Sequence, residues 1–291
     1  MDKIGIIILS YNNSVDTIEC LNSLNAVDCD QCNFEIIIVD NSKTDLYAQE
    51  IQKACPNISV VIRCENNGYS AGNNIGIKRA ISDGCEFIIV LNNDTTVDSL
   101  FYKPLIEELK QNKNQIVAPI IYNYYSKKVW SSGGRFRRLL GDYCMLYDKI
   151  DKKRKASFIS GCCFATTKYV FEKIGYLNED YFMYCEDTDF CKRASEFGCK
   201  MLVLPDSIIF HKAGISSKKN NAFQLYYIYR NRIYFAYSMF RGVYRLYAVF
   251  VNKFRALLKA LLYLIRRKKD YYHALIFAIK DGKSILDKRR F

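Results

Sequence analysis

Acids and amides stand where apolar runs of this chain end. In "EFIIVLNNDTTVD" (86–98), Phe87 to Leu91 lead straight into Asn92, Asn93 and Asp94. A lone carboxylate is a weak site for a hard cation. Mg²⁺ or Mn²⁺ is often held by one or two carboxylates plus substrate phosphates, so a ligand bringing its own oxygens would complete a site at Asp94. His211 closes the run "DSIIFH" and is one of two histidines. An imidazole at a strand end, just before "KAGISSKK", suits a metal or phosphate contact. A second acidic centre lies in "EDYFMYCEDTDFCKRASEFG" (179–198), where Glu186, Asp187 and Asp189 open a helical pattern. Acids in a first turn favour the helix dipole. Behind Tyr181-Phe182-Met183-Tyr184 they also edge an aromatic platform suited to sugar C–H surfaces. A carboxylate placed there can act as general base on a hydroxyl.

The elements that must position these groups are legible in the pattern. "KIGIIIL" (3–9), "EIIIV" (35–39), "ISVVI" (58–62) and "EFIIVL" (86–91) are short, β-branched and continuously apolar. That pattern predicts strands covered on both faces, as in a parallel sheet. Between them, Ser14 is expected to cap a helix through about Leu24, and Ala71 to Ile81 predicts another, ended by Asp83-Gly84. The order is β-α-β-α-β-α-β, an open, doubly wound α/β layout. Beyond residue 115 a mixed or antiparallel portion is expected, closed by "KMLVLP" and "SIIFH". From about Ala222 the chain predicts long helices rich in Tyr, Phe, Leu and Arg.

Ligands of open α/β sheets bind outside the carboxyl ends of the strands. Those ends carry Ser10-Tyr11-Asn12, then Asp40 in "VDNSKTD", then "ENNGYSAGNNIG", then Asn92-Asn93-Asp94. A nucleotide is the expected occupant. Asp40 can accept from a base N–H or a ribose hydroxyl, and Asn73 can add contacts. The glycines at 68, 72 and 76 allow close approach of backbone and helix. Neither G-x-G-x-x-G nor a Walker loop is present, which argues against dinucleotide and P-loop sites.

Composition narrows the class. The chain has 291 residues and is 50% hydrophobic, enough for a full core. Of its net charge of +13, all resides from Phe223 onward, and the preceding body is neutral. A nucleic-acid binder would line a groove of the body with basic residues, so that reading is set aside. The 12 cysteines are mostly single within apolar stretches, and no cleavable leader pattern is visible, which predicts reduced thiols and a cytoplasmic location. Cys29-x-x-Cys32 has no second ligand pair, so no zinc is expected.

The segments "ILSYNN", "IIIVDNSKTD", "ENNGYSAGNNIGIKRA", "VLNNDT", "SGCCFATTKYVFEKIGYLNEDYFMYCEDTDFCKRASEFG" and "FHKAGISS" occur in the order seen in family 2 glycosyltransferases. The chain resembles most the branch that includes bacterial rhamnosyltransferases of surface-polysaccharide assembly, over about residues 3–240. The resemblance implies a GT-A fold, a Rossmann-like, mostly parallel α/β sheet. It implies inverting, metal-dependent transfer from a nucleotide-diphospho-sugar (dTDP- or UDP-linked, with dTDP-rhamnose a candidate) to a glycan acceptor that is lipid-linked. Asp40 would contact the base, and Asn92-Asn93-Asp94 stands where relatives carry D-x-D. Ser10, Asn12, Asn67, Gly72, Asn73, Asn92 and Asn93 complete the expected donor site. Asp94 and His211 would hold Mg²⁺ or Mn²⁺, and Asp187 would be the base, with Gly161, Tyr184 and Glu186 on the acceptor side. Asn92 in place of an Asp leaves the cation one carboxylate. The stretch 126–155, with Trp130-Ser131-Ser132-Gly133-Gly134, is expected to border the acceptor side, with no contacts assigned within it. The alternative is a sugar nucleotidyltransferase, which leaves the acidic helix behind the aromatic platform unexplained.

Residues 1–221 are expected to form the catalytic domain, with 1–98 binding nucleotide and 99–221 binding acceptor. Residues 222–291 are expected to lie on the anionic inner face of the cell membrane. On a helical wheel, Arg241, Arg245, Arg255, Lys259 and Arg266 share one face, while Leu246, Val249, Phe250, Leu257, Leu261 and Leu264 lie mainly elsewhere. No run reaches ~20 uncharged apolar residues, so an interfacial rather than a spanning helix is expected. Packing on the body or an oligomer contact would account for the same pattern.

Overall fold

The computed structural model describes residues 1–27, 32–56, 60–212 and 221–283. The first strands and helices alternate as expected. They are β1 (Asp2–Ser10), α1 (Ser14–Asn25), β2 (Cys32–Asp40), α2 (Leu46–Ala54), β3 (Val60–Arg63), α3 (Tyr69–Ser82) and β4 (Phe87–Asn92). Continuous apolar runs become strands here because both faces are covered: Ile6 and Ile8 meet one core cluster and Ile7 the other. The expected strand at 58–62 is described only from Val60, and Cys29 also lies outside the described residues. The cap of α1 is Asn13 rather than Ser14: its side-chain oxygen accepts from the Asp16 N–H at 3.2 Å. The Ser14 hydroxyl instead bonds Glu50 of α2.

After β4 the chain makes a tight turn into β5 (Thr95–Val97) and then α4 (Tyr102–Gln111). Next come β6 (Gln115–Asn123), β7 (Val129–Ser131), β8 (Gly134–Arg137), β9 (Asp142–Met145), β10 (Arg154–Lys155) and β11 (Cys163–Thr167). Helices α5 (Lys168–Ile174) and α6 (Glu186–Glu196) precede β12 (Lys200–His211). The two closing runs expected separately are thus one strand, bulged between Leu204 and Ile208.

Across the sheet the order is β10-β12-β6-β11-β4-β1-β2-β3, with β5 on β12 and β7 on β6. The block β3-β2-β1-β4 is parallel. Strand β11 then runs antiparallel between β4 and β6. Ser10, Asp40, Arg63 and Asn92 therefore stand on one edge. β5 lies antiparallel on β12 with Thr95 opposite His211, which brings Asp94 and His211 together from positions more than a hundred residues apart.

Helices α7 (Asn221–Met239), α8 (Gly242–Ile265) and α9 (Lys269–Asp281) pack on one another. α7 also packs on the body, with Tyr227 against Phe182 and Tyr234 against Tyr181. Helix α8 packs through its small residues. Its buried face is Ala248, Val249, Asn252, Ala256 and Ala260. Of the expected basic stripe, Arg255 pairs with Asp142 at 2.8 Å and Lys259 lies over the Tyr229 ring. Bulky Leu246, Phe250, Leu257 and Leu261 face outward. The small alanines allow close helix contact, and that shape requirement outweighs the polarity of the wheel. Among the described residues, no helix is long and apolar enough to cross a membrane.

Candidate active site

Two cavities meet on the carboxyl edge of the sheet. The larger, about 1530 Å³, is bounded by Asn12, Asn41, Lys43, Arg63, Asn66 and Asn93. The smaller, about 850 Å³, is bounded by Trp130, Met145, Gly161, Tyr184, Asp187 and His211. Tyr69, Asn92, Asp94, Met183 and Phe223 line both.

At the junction, His211 Nε2 lies 3.1 Å from Asp94 Oδ1. The His211 ring meets Trp130 edge to face at 4.5 Å, and its buried Nδ1 has no partner among the described residues. Lys212 donates its backbone N–H to the Asp94 carbonyl at 2.9 Å. Its ammonium, paired with Asp16 and Glu19 of α1, fixes the end of β12 against that helix. Asn93 donates to Thr17 at 2.9 Å, and Asn92 Oδ1 accepts from Tyr69 at 3.1 Å. One end of each amide is thereby engaged, and at this junction the Asp94 carboxylate and the His211 imidazole stand side by side. No cluster of three or more acidic, His or Cys ligands occurs among the described residues. Such an open, two-residue donor set fits a divalent cation completed by phosphate oxygens.

Of the expected nucleotide residues, Asn12, Asn92 and Asn93 line the larger cavity. Ser10 is buried, its hydroxyl 3.1 Å from Thr17. Asp40 is 0% exposed. It accepts from Arg63 at 2.6 Å and from the backbone and hydroxyl of Ser42. Arg63 stands opposite Asp40 in the β2–β3 register and itself lines the cavity. The cavity therefore meets the guanidinium, and the carboxylate anchors it from behind. Asn67 is exposed and off the cavity wall, whereas its neighbour Asn66 is on it. Asn73 is buried and bonds the Tyr69 carbonyl at 2.9 Å. A Cβ at Gly72 would sit 2.4 Å from Leu9, so this glycine serves helix–sheet contact. Gly68 is the position where only glycine fits: its φ is +100° and a Cβ would lie 2.3 Å from the Phe182 carbonyl oxygen.

On the smaller cavity, Asp187 is half-buried at the first turn of α6. Its Oδ2 accepts from the Gly161 N–H at 3.1 Å and its Oδ1 from the Thr188 N–H at 2.7 Å. Burial pushes its pKa up, and these bonds oppose the rise. Glu186 beside it has an oxygen with no partner among the described residues. Burial and the Asp187 charge push the Glu186 carboxyl well above its ordinary value. More hydrogen bonds favour the ionised form of Asp187, from Gly161 and Thr188, than that of Glu186, so Asp187 gives up its proton before Glu186 does.

The turn that aims this pair is strained. Tyr184 and Cys185 have φ of 67° and 72°, a region costly for side-chain-bearing residues. Asn231 of α7 holds it, donating its amide protons to the Met183 carbonyl at 2.8 Å and the Tyr184 carbonyl at 2.7 Å. Buried Arg230 donates to Asn231 Oδ1 at 2.8 Å, fixing the amide. Tyr69 ties the two cavities, its hydroxyl 2.7 Å from the Gly161 carbonyl. Sequence reasoning missed Arg63, Tyr69, Lys212 and Asn231. Tyr69 follows Gly68 inside an already suspected motif and Lys212 follows His211, whereas nothing local marks Asn231.

Comparison with known proteins agrees with this geometry. The chain is 28% identical over 247 residues to the low-salt glycan biosynthesis hexosyltransferase Agl10 of Haloferax volcanii, covering 82% of this chain and 77% of that one. It is 23% identical to the dTDP-rhamnosyl transferase RfbF of Shigella flexneri, over 73% of this chain and 70% of that one. It is 21% identical to an N-acetylglucosaminyl-diphospho-decaprenol L-rhamnosyltransferase of Mycobacterium tuberculosis, over 65% and 70%. Among solved structures, the mannosyltransferase PcManGT of Pyrobaculum calidifontis, in complex with GDP-Man and Mn²⁺, superposes with a TM-score of 0.64 at 13% identity, covering 98% and 88% of the two chains. GalNAc-T7 with UDP, GalNAc and Mn²⁺ gives 0.62 at 16% identity, covering 72% of this chain and 43% of that longer one. These likenesses show a GT-A fold. The model described as glycosyl transferase family 2 matches residues 5–175. That stretch contains the strand edge, the Asn92–Asp94 turn and Gly161, and with it the chain belongs to glycosyl transferase family 2.

Proposed function

We propose that this enzyme moves a hexosyl or deoxyhexosyl group from a dTDP- or UDP-sugar, dTDP-rhamnose among them, to a hydroxyl of a lipid-linked glycan, with inversion. The observation that carries the reading is the meeting of two cavities at Asp94, with Asp187 on the smaller one. The named relatives support hexosyl and rhamnosyl transfer, and the decaprenol-linked substrate named for one of them supports a lipid-linked acceptor.

In this reading the nucleotide occupies the larger cavity beside Arg63 and Asn66. The diphosphate lies at Asn92–Asp94, and the transferred sugar points toward Asp187. Asp94 and His211 would hold a divalent cation, which stabilises the charge of the departing nucleoside diphosphate when bound. The acceptor sugar lies in the smaller cavity by Trp130 and Tyr184. Asp187 takes the acceptor hydroxyl proton as that oxygen attacks the anomeric carbon and the bond to the diphosphate breaks. Attack from the face opposite the leaving group inverts the centre. Protonated Glu186 adds no second negative charge beside the base. Incubating the chain with dTDP-, UDP- and GDP-sugars and lipid-diphosphate-linked sugars, with mass and NMR analysis of products, tests this. An inverted glycosidic bond to the lipid-linked sugar is expected. A retained anomeric configuration, or a new nucleotide–sugar bond in place of a glycosidic one, overturns it.

A further inference from the structure

We infer that the outward face of α8 is a docking surface for an anionic lipid bilayer. Val243, Leu246, Phe250, Leu257, Leu261 and Ile265 all stand exposed along this 24-residue helix, with Leu246 68% and Phe250 65% exposed. At 1.5 Å per residue the apolar strip is ~36 Å long. Soluble surfaces rarely expose contiguous apolar strips of that extent without a partner.

Charge decides which partner. Helix α8 carries no acid. Arg241 and Arg245 are exposed at its start, and Arg266, Arg267, Lys268 and Lys269 are exposed at its end. A second copy laid along the strip, parallel or antiparallel, would bring cations against cations at both ends. A negatively charged headgroup layer matches both ends at once, while the apolar strip enters the acyl boundary.

The surface also connects to the smaller cavity, and this part rests on the acceptor reading above. Leu139, at the β8–β9 turn, is 77% exposed. Tyr244, Tyr247 and Asn252 of α8 donate to the carbonyls of Arg138, Leu139 and Leu140, holding that turn on the helix. From Gly141, β9 leads to Met145 on the wall of the smaller cavity. Four residues of strand span ~13 Å. A glycan anchored in the bilayer at this turn would place a sugar near Asp187.

Flotation of the full chain with vesicles tests the surface without reading catalysis. With equal parts phosphatidylglycerol and phosphatidylcholine, the parent chain floats, and with phosphatidylcholine alone it floats weakly. Leu246→Glu/Phe250→Glu/Leu261→Glu lowers partitioning at least ~100-fold while donor hydrolysis is unchanged. Should the triple variant fail to fold, Leu246→Glu alone lowers partitioning ~10-fold. Gln at positions 266–269 lowers it about fivefold per charge removed, and added salt removes that difference. Absence of the parent chain from anionic vesicles at low salt overturns the proposal. So does parent-like flotation of the glutamate variants. A parent dimer that those substitutions convert to monomer, with flotation unaltered, would make the face a contact between copies instead.

Discussion

Asn231→Ala is expected to lower turnover about 10- to 100-fold while leaving donor binding nearly unchanged. The amide of Asn231 donates to the carbonyls of Met183 and Tyr184 and accepts from Arg230. Removing it leaves two part-buried carbonyls without this partner, at up to about 1–3 kcal/mol each before relaxation and solvation. Tyr184 and Cys185, both at positive φ, hold about 1–2 kcal/mol each. Relaxing the turn recovers part of both costs, so the net stability loss should be about 2–4 kcal/mol. That relaxation also moves Asp187, two residues after Cys185. A displacement near 1 Å costs on the order of 10²-fold in rate. The assay is nucleotide-sugar hydrolysis, which needs the same base to activate water, with kcat and donor KM measured apart and a thermal melt alongside. Cys185→Gly in the Asn231→Ala background removes the positive-φ penalty at one residue and should return part of the lost turnover. Unchanged kcat, a loss confined to donor KM, or a further drop on adding Cys185→Gly would refute the reasoning.

Glu186→Gln should raise the melting temperature at pH 7 and flatten its dependence on pH. The native state holds a proton that the unfolded chain releases near the ordinary value of 4.5. Stability of the parent therefore falls as pH rises from there through the native pKa, by about 1.4 kcal/mol per unit of upward shift. A parent that gains stability over that range would contradict the assignment. Asp94→Ala should cost at least ~100-fold in turnover, and EDTA should silence the parent. Calorimetry of Mn²⁺ binding with nucleoside diphosphate present should show weaker binding for both Asp94→Ala and His211→Ala. Tyr69→Phe should lower turnover about tenfold and stability by about 1 kcal/mol, as expected for one lost hydrogen bond.

The strand edge was legible because β-branched apolar runs ending in amides and acids have few other physical solutions. Asp94 and His211 were legible as separate strand ends, and the β5–β12 pairing supplies their contact. What the sequence hides is set by partners far along the chain. Asp40 reads as a free carboxylate until the β2–β3 register lays Arg63 beside it. Asn231 sits in a Tyr-rich helix, and its value comes entirely from a strained turn nearly fifty residues earlier. Helix α8 shows the limit of a polarity wheel. Burial there follows Ala248, Ala256 and Ala260, which fit close helix contact, and the bulky apolar side chains remain outside.

The central claim is that Asp187 is the base of a nucleotide-sugar-dependent transfer. Asp187→Asn keeps the size of the side chain and an oxygen able to accept from Gly161 or Thr188, and removes the basic carboxylate. The most direct measurement compares turnover and donor affinity of the parent and this variant, using the best donor of the panel. A loss of roughly 10²–10⁴ in kcat with donor affinity retained is predicted. Parent-like turnover by Asp187→Asn would contradict the account.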